Sequence, residues 1–161
     1  MTDFKEATGK PLPKIAPIQG TNPEDDPRYV ALLTSLQTVH GTLLKTNLSE
    51  NPALIGDYLG DLRLGANQLF AYLNIYIDVL TEAQVEHAAR RQAIFESEVA
   101  QKKSPSAAET YAREMTRDTD ANVKVIENRI QQIKNNYERF NGICIYLQSR
   151  MREYNSERIM G

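Results

Sequence analysis

Between Val123 and Tyr154 apolar side chains recur without a miss at Val123, Ile126, Ile130, Ile133, Tyr137, Phe140, Cys144, Leu147, Met151 and Tyr154. The steps alternate between 3 and 4, the stretch has no proline, and its only glycine is Gly142. A stripe of this kind held for more than four heptads predicts a long helix of a coiled coil or bundle. Such a helix runs about 45 Å at ~1.5 Å per residue, and it needs a partner of similar length to cover its stripe.

The partner is upstream. Ile55, Leu59, Leu62, Ala66, Leu69, Leu73, Tyr76, Leu80, Ala83, His87, Arg90 and Ile94 follow the same alternation. Flanking Tyr58, Phe70, Tyr72, Ile77, Val79, Phe95 and Val99 widen the apolar surface beyond one seam, which fits a helix with more than one neighbour. Asn51-Pro52 supplies a cap and a first-turn proline, so the helix is expected over 52–102. Gly56, Gly60 and Gly65 lie in its first part. They mark either a close helix approach or a weak, frayed beginning. Lys102-Lys103-Ser104-Pro105-Ser106 is a strong turn signal, with lysines suited to the end of one helix and Ser-Pro to the start of the next. A short connection makes antiparallel neighbours, and the arms on either side are equal at roughly 50 residues. The returning helix is expected over 106–158. Asp118-Thr119-Asp120 interrupts its apolar pattern and predicts a local break near 118–120, as a kink or as a fresh cap.

Ahead of this hairpin, Tyr29, Leu32, Leu33, Leu36, Val39, Leu43 and Leu44 predict a further helix over 24–49. Asn22 is its expected cap, Pro23 or Pro27 suits the first turn, and Glu24, Asp25 and Asp26 oppose the positive end of the helix dipole. Residues 1–22 carry Pro11, Pro13 and Pro17 and read as an extended or disordered arm, with Leu12, Ile15 and Ile18 as apolar grip. The expected fold class is therefore all-α: a long antiparallel, coiled-coil-like hairpin with an additional N-terminal helix and an extended arm. Residues 23–161 form one helical domain in this reading.

Composition narrows the chemistry. A single cysteine excludes an internal disulfide framework and a cysteine-cluster metal site. No run of apolar residues is long enough to span a membrane, and no signal-peptide pattern opens the chain, so a cytoplasmic setting is expected. His87 falls on the core stripe, where a hydrogen-bonded ring is the commoner role, and Cys144 reads as a buried thiol acting as a small hydrophobe. A di-metal bundle site needs Glu-x-x-His pairs, but Gln84 and Gln37 stand three residues before His87 and His40. No phosphate loop, nucleophile elbow or zinc-protease motif occurs. The chain is thus read as no enzyme, with no cofactor, no metal and no catalytic residues.

The net charge of -2 gives no general signal for a nucleic-acid partner, but the charges are unevenly spread. Residues 121–161 hold seven basic and four acidic side chains. A second basic focus sits at the expected hairpin tip: Arg90, Arg91, Lys102, Lys103, Arg113 and Arg117, with Phe95 and Tyr111 close by in sequence. Cations beside aromatic rings can follow a phosphodiester backbone and stack bases, and these six residues are the nucleic-acid-binding candidates. An ordinary solvated helix surface is the competing reading.

From Arg90 to Tyr154 the chain resembles the phage recombination-mediator family typified by UvsY. The resemblance rests on a helix ending in basic residues, a turn, the stretch Tyr111-Ala112-Arg113-Glu114-Met115 and the Asp-containing segment Asp118–Val125. A long helix then closes in an aromatic-rich seam and Ser149-Arg150-Met151. It implies a homo-oligomer that binds single-stranded DNA and helps a RecA-like recombinase displace single-strand-binding protein, in a host cytoplasm if phage-encoded. By position, Arg90 and Arg91 fall nearest the family's DNA-binding patch. The chain departs from the family in its acidic balance, sparser basic patch and extra N-terminal arm and helix. The alternative is a coiled-coil scaffold or assembly adaptor without nucleic acid.

Overall fold

A computed structural model describes residues 23–160, so the expected arm at 1–22 and the expected Asn22 cap lie outside the described residues. A 3-10 turn over Pro23–Asp25 leads into four helices: α1 (Pro27–Lys45), α2 (Leu54–Ala100), α3 (Pro105–Met115) and α4 (Arg117–Met160). Among the described residues there is no strand. The long helices α2 and α4 pack together, Phe70 meeting Tyr137 in one part and His87 meeting Thr119 in the other, and Arg91 of α2 meets Glu109 of α3, so the return runs antiparallel to α2. The all-α hairpin with an added N-terminal helix is therefore the observed architecture.

Helix ends differ from the expected ones for identifiable reasons. Asp26, not a residue further upstream, caps α1: its backbone is extended and its carboxylate accepts from the Arg28 backbone N–H at 2.9 Å, with Pro27 in the first turn. Helix α2 begins two residues later than expected. The carbonyls of Asn51 and Pro52 accept from the backbone N–H groups of Leu54 and Ile55, so Asn51-Pro52 forms a turn that feeds the helix. At the far end of α2, Lys102 takes a positive φ of 64°. Its N–H donates to Val99 and that of Lys103 to Glu98, the pairing of a Schellman cap. Lysine thus occupies a left-handed position that glycine usually fills. Ser104 then caps α3 through the Ala107 N–H, with Pro105 in the first turn, as the Ser-Pro signal implied.

The break expected near 118–120 falls at Thr116 instead. Thr116 is 1% exposed, and its hydroxyl donates back to the Ala112 carbonyl while its own carbonyl accepts from the Asp120 N–H. Asp118 and Asp120 lie in the first turn of α4, where negative charge opposes the helix dipole. The acidic run marks a helix start, and the break precedes it.

The described residues form two compact units, one from 23–73 with 132–160 and the other from Asn74–Gln131. In the first, α1 contributes Tyr29, Leu36 and Leu43, α2 contributes Ile55, Leu59, Leu62, Ala66, Leu69, Tyr72 and Leu73, and α4 contributes Ile133, Phe140, Cys144 and Leu147, all buried. Tyr29 ties the three helices: its ring meets Tyr72 edge-on at 5.3 Å, and its hydroxyl accepts from the Asn136 side chain at 3.1 Å. Gly65 resolves one of the glycine alternatives as close approach. A Cβ there would lie 2.8 Å from Cγ of buried Leu36, whereas Gly56 and Gly60 face open space. In the second unit the buried apolar side chains are Tyr76, Ala108, Ala112 and Ile126, a smaller set with two alanines.

Candidate nucleic-acid interface

The six basic candidates lie in the Asn74–Gln131 unit, and the hairpin register decides what each can do. On the last turns of α2, Arg90 and Arg91 stand opposite the return. Arg90 Nη1 donates to Asp118 Oδ2 at 3.0 Å, and Arg91 is ion-paired with Glu109. Arg113, one turn further along α3, reaches the same Glu109 carboxylate at 3.8 Å. Lys103, held by the Schellman cap, pairs with Glu98, a carboxylate only 6% exposed. Its ammonium also sits 4.9 Å from the centre of the Tyr111 ring, which is 41% exposed. Lys102 and Arg117 are exposed, and neither is in an ion pair among the described residues.

The fold therefore brings Arg91 and Arg113 together on one carboxylate and Lys103 onto an aromatic ring, while giving Arg90 a separate partner. Four of the six cations meet a carboxylate of their own chain. Across residues 90–120 the six basic side chains (Arg90, Arg91, Lys102, Lys103, Arg113, Arg117) are balanced by six acidic ones (Glu96, Glu98, Glu109, Glu114, Asp118, Asp120). Locally, the field of this region is close to neutral. The Thr119 backbone N–H and the Arg90 guanidinium hold the Asp118 carboxyl below its usual range, and the Lys124 ammonium does the same for Asp120. These groups stay charged through neutral pH, so the pairing persists there. The Arg90, Arg91 and Arg113 pairs are exposed and weak, and a phosphate can compete for them.

Glu98, Glu109 and Asp118 were not singled out in the sequence as part of this site. Asp118 lies 28 residues from its arginine and Glu109 lies 18 from Arg91, separations that carry meaning only once the hairpin register is known. Beside them is a recess of about 410 Å³ lined by Arg90, Ile94, Glu98, Tyr111 and Met115.

The two residues with potential chemistry have structural partners. His87 Nδ1 lies 2.8 Å from Thr119 Oγ1. That hydroxyl donates its proton to the Thr116 carbonyl, so Nδ1 is the donor to Thr119. Cys144 is 3% exposed, and burial pushes its thiol pKa up, away from the reactive thiolate. Among the described residues, no group of three or more His, Cys, Asp or Glu side chains is placed to hold a metal ion, and no helix is long and apolar enough to cross a membrane. No protein-family model, curated protein or solved structure matches the chain.

Proposed function

We propose that the protein is a non-enzymatic, cytoplasmic recombination mediator of the phage type. It binds single-stranded DNA as a homo-oligomer and helps load a RecA-like recombinase against single-strand-binding protein. The observation that carries this reading is a cation set beside a partly exposed aromatic ring on a helical surface, where Lys103 lies over Tyr111. Such surfaces hold phosphates by charge and bases by stacking, with no need for sequence readout. Homo-oligomerisation is supported by apolar side chains left exposed on α2 after α1 and α4 have packed: Phe70 at 46%, Ile77 at 44% and Val85 at 64%.

The test is fluorescence anisotropy of a labelled oligo-dT titrated with the full chain at two salt concentrations. Binding that weakens steeply as salt rises is the expected result. Absence of binding at low salt overturns the reading. Lys103 is a poor residue to delete in this assay, because its loss leaves the buried Glu98 carboxylate without its cation and confounds binding with stability.

The second reading, a helical scaffold or assembly adaptor without nucleic acid, is favoured by one specific observation. The tip cations are largely neutralised by their own chain. A defined oligomer that ignores oligo-dT at low salt is the outcome that selects it.

A further inference from the structure

The near-neutral tip directs attention to a groove elsewhere, in the three-helix unit. It lies between the end of α1 with its following turn and the middle of α4, and encloses about 530 Å³. His40, Arg139, Arg150 and Tyr146 line it together with apolar and uncharged polar side chains, and no carboxylate does. Residues 37–50 and 139–153, which bound it, carry four fixed positive charges (Lys45, Arg139, Arg150, Arg152) against two negative ones, Glu50 and Glu153. The tip, with six of each sign over residues 90–120, has no such excess.

Helix geometry arranges the groups in a row. Arg139, Tyr146 and Arg150 are spaced by 7 and 4 residues, which returns each to the same side of α4. The two arginines are separated by about 16 Å along the axis, room for a strand of a few nucleotides. Tyr146 is 57% exposed, and its ring is available on one face of the groove. Arg139 has no ion pair among the described residues; its guanidinium lies 5.5 Å from the centre of the Phe140 ring. Arg150 holds Glu153 at 2.7 Å, but both side chains are well exposed, and a pair of this kind contributes little and exchanges readily for a phosphate.

We infer that this groove is the principal docking site for a single-stranded nucleic acid, with Arg139 and Arg150 on phosphates and Tyr146 stacked on a base. The inference rests on the nucleic-acid reading above and moves the main contact away from the tip. A local excess of positive charge raises the local concentration of a polyanion, and an exposed ring between two arginines supplies the sequence-tolerant contact that a single strand requires.

The experiment compares full-length variants by anisotropy of labelled oligo-dT across a salt series, with far-UV circular dichroism confirming helicity. Arg139→Ala with Arg150→Ala is expected to weaken binding at least tenfold at low salt. It should also flatten the slope of log affinity against log salt by about 1.4, the value for two phosphate contacts on a single strand. Tyr146→Ala should weaken binding at least fivefold, while Tyr146→Phe binds like the parent. Arg139→Lys with Arg150→Lys, which keeps the charge, should retain most of the affinity and so separates charge from packing. Arg90→Ala with Arg91→Ala should change affinity less than threefold. If the groove variants bind like the parent and the tip variant loses binding, the groove inference is wrong and the mediator reading stands. If the parent does not bind at low salt, both fail. A poly-glutamate peptide that competes as well as oligo-dT, with Tyr146→Ala unaffected, would make the groove an acidic-peptide site and overturn the nucleic-acid assignment.

Discussion

Asp26 shows how much one side chain can join. It caps α1, accepts from both the backbone and the guanidinium of Arg28, and accepts from the Tyr72 hydroxyl of α2 at 3.4 Å. Burial pushes its carboxyl pKa upward, but the Arg28 backbone N–H, the Arg28 side chain and the Tyr72 hydroxyl together outweigh this and hold it below the ordinary range. The sign of the linkage follows. A carboxyl depressed in the folded state adds stability above its unfolded pKa of about 3.9, and that stability is lost as pH falls through the lower folded value. Asp26→Ala should therefore cost about 1–2 kcal/mol at pH 7, the usual range for a lost cap. Asp26→Asn should cost less, because asparagine also caps. The deficit of Asp26→Asn should shrink as pH drops below 4, because the parent then loses the charge that the variant lacks. Urea unfolding of the parent and both variants at pH 7 and pH 3 measures this; a deficit independent of pH would remove the charged role from Asp26.

At the scale of elements, the long stripes were legible because one alternation of three and four persists on both arms, and only a buried helical face demands that. Seven of the stripe positions on α2, from Ile55 to Tyr76, are buried as the pattern required. The start of α2 was less legible, since a cap followed by proline also describes a turn ahead of a helix. The break was displaced because acidic residues that look like an interruption are what a new first turn prefers. The tip was legible as a basic cluster but not as a neutralised one, because Glu109 and Asp118 join it through hairpin register. The groove was legible only as the basic excess of residues 121–161, which includes Arg139 and Arg150; that His40 of α1 and the turn after it join them is set by the fold. The glycines likewise read alike in sequence and differ in space. Gly65→Ala must displace buried Leu36, an overpacking that costs about 1–3 kcal/mol and exceeds the gain of ~1 kcal/mol in helix propensity. Gly60→Ala meets nothing within 4 Å and should stabilise the protein by about 0.5–1 kcal/mol. Thermal melts of the two variants should therefore shift in opposite directions; shifts of the same sign would show that α1 does not depend on close approach at Gly65.

Across the molecule, stability is unevenly provided. Of the 18 buried hydrophobic residues among those described, only Tyr76, Ala108, Ala112 and Ile126 belong to Asn74–Gln131, leaving 14 in the unit that contains α1. Two of those four are alanines, whose burial contributes little compared with the leucines and aromatics of the other unit. The Asn74–Gln131 unit instead relies on ion pairs at its surface and on the Thr116, Thr119 and His87 hydrogen bonds. Exposed pairs are worth ~1 kcal/mol or less each and weaken in salt. Local opening should accordingly be easier there, since it exposes less apolar surface. In hydrogen exchange followed by mass spectrometry, peptides covering 80–120 should exchange faster than those covering 55–73 and 133–147, and added salt should widen the gap. Uniform protection would mean that the helices open as one cooperative body. With the expected gradient, the groove lies in the better-packed unit, where Arg139, Tyr146 and Arg150 are held by a helix that buries Phe140, Cys144 and Leu147 on its other face. A strand-docking surface benefits from that rigidity, because its side chains then lose less freedom on binding. Saturating oligo-dT should thus slow exchange in 139–152 while leaving 90–120 as fast as before. The reverse pattern would assign the strand to the tip.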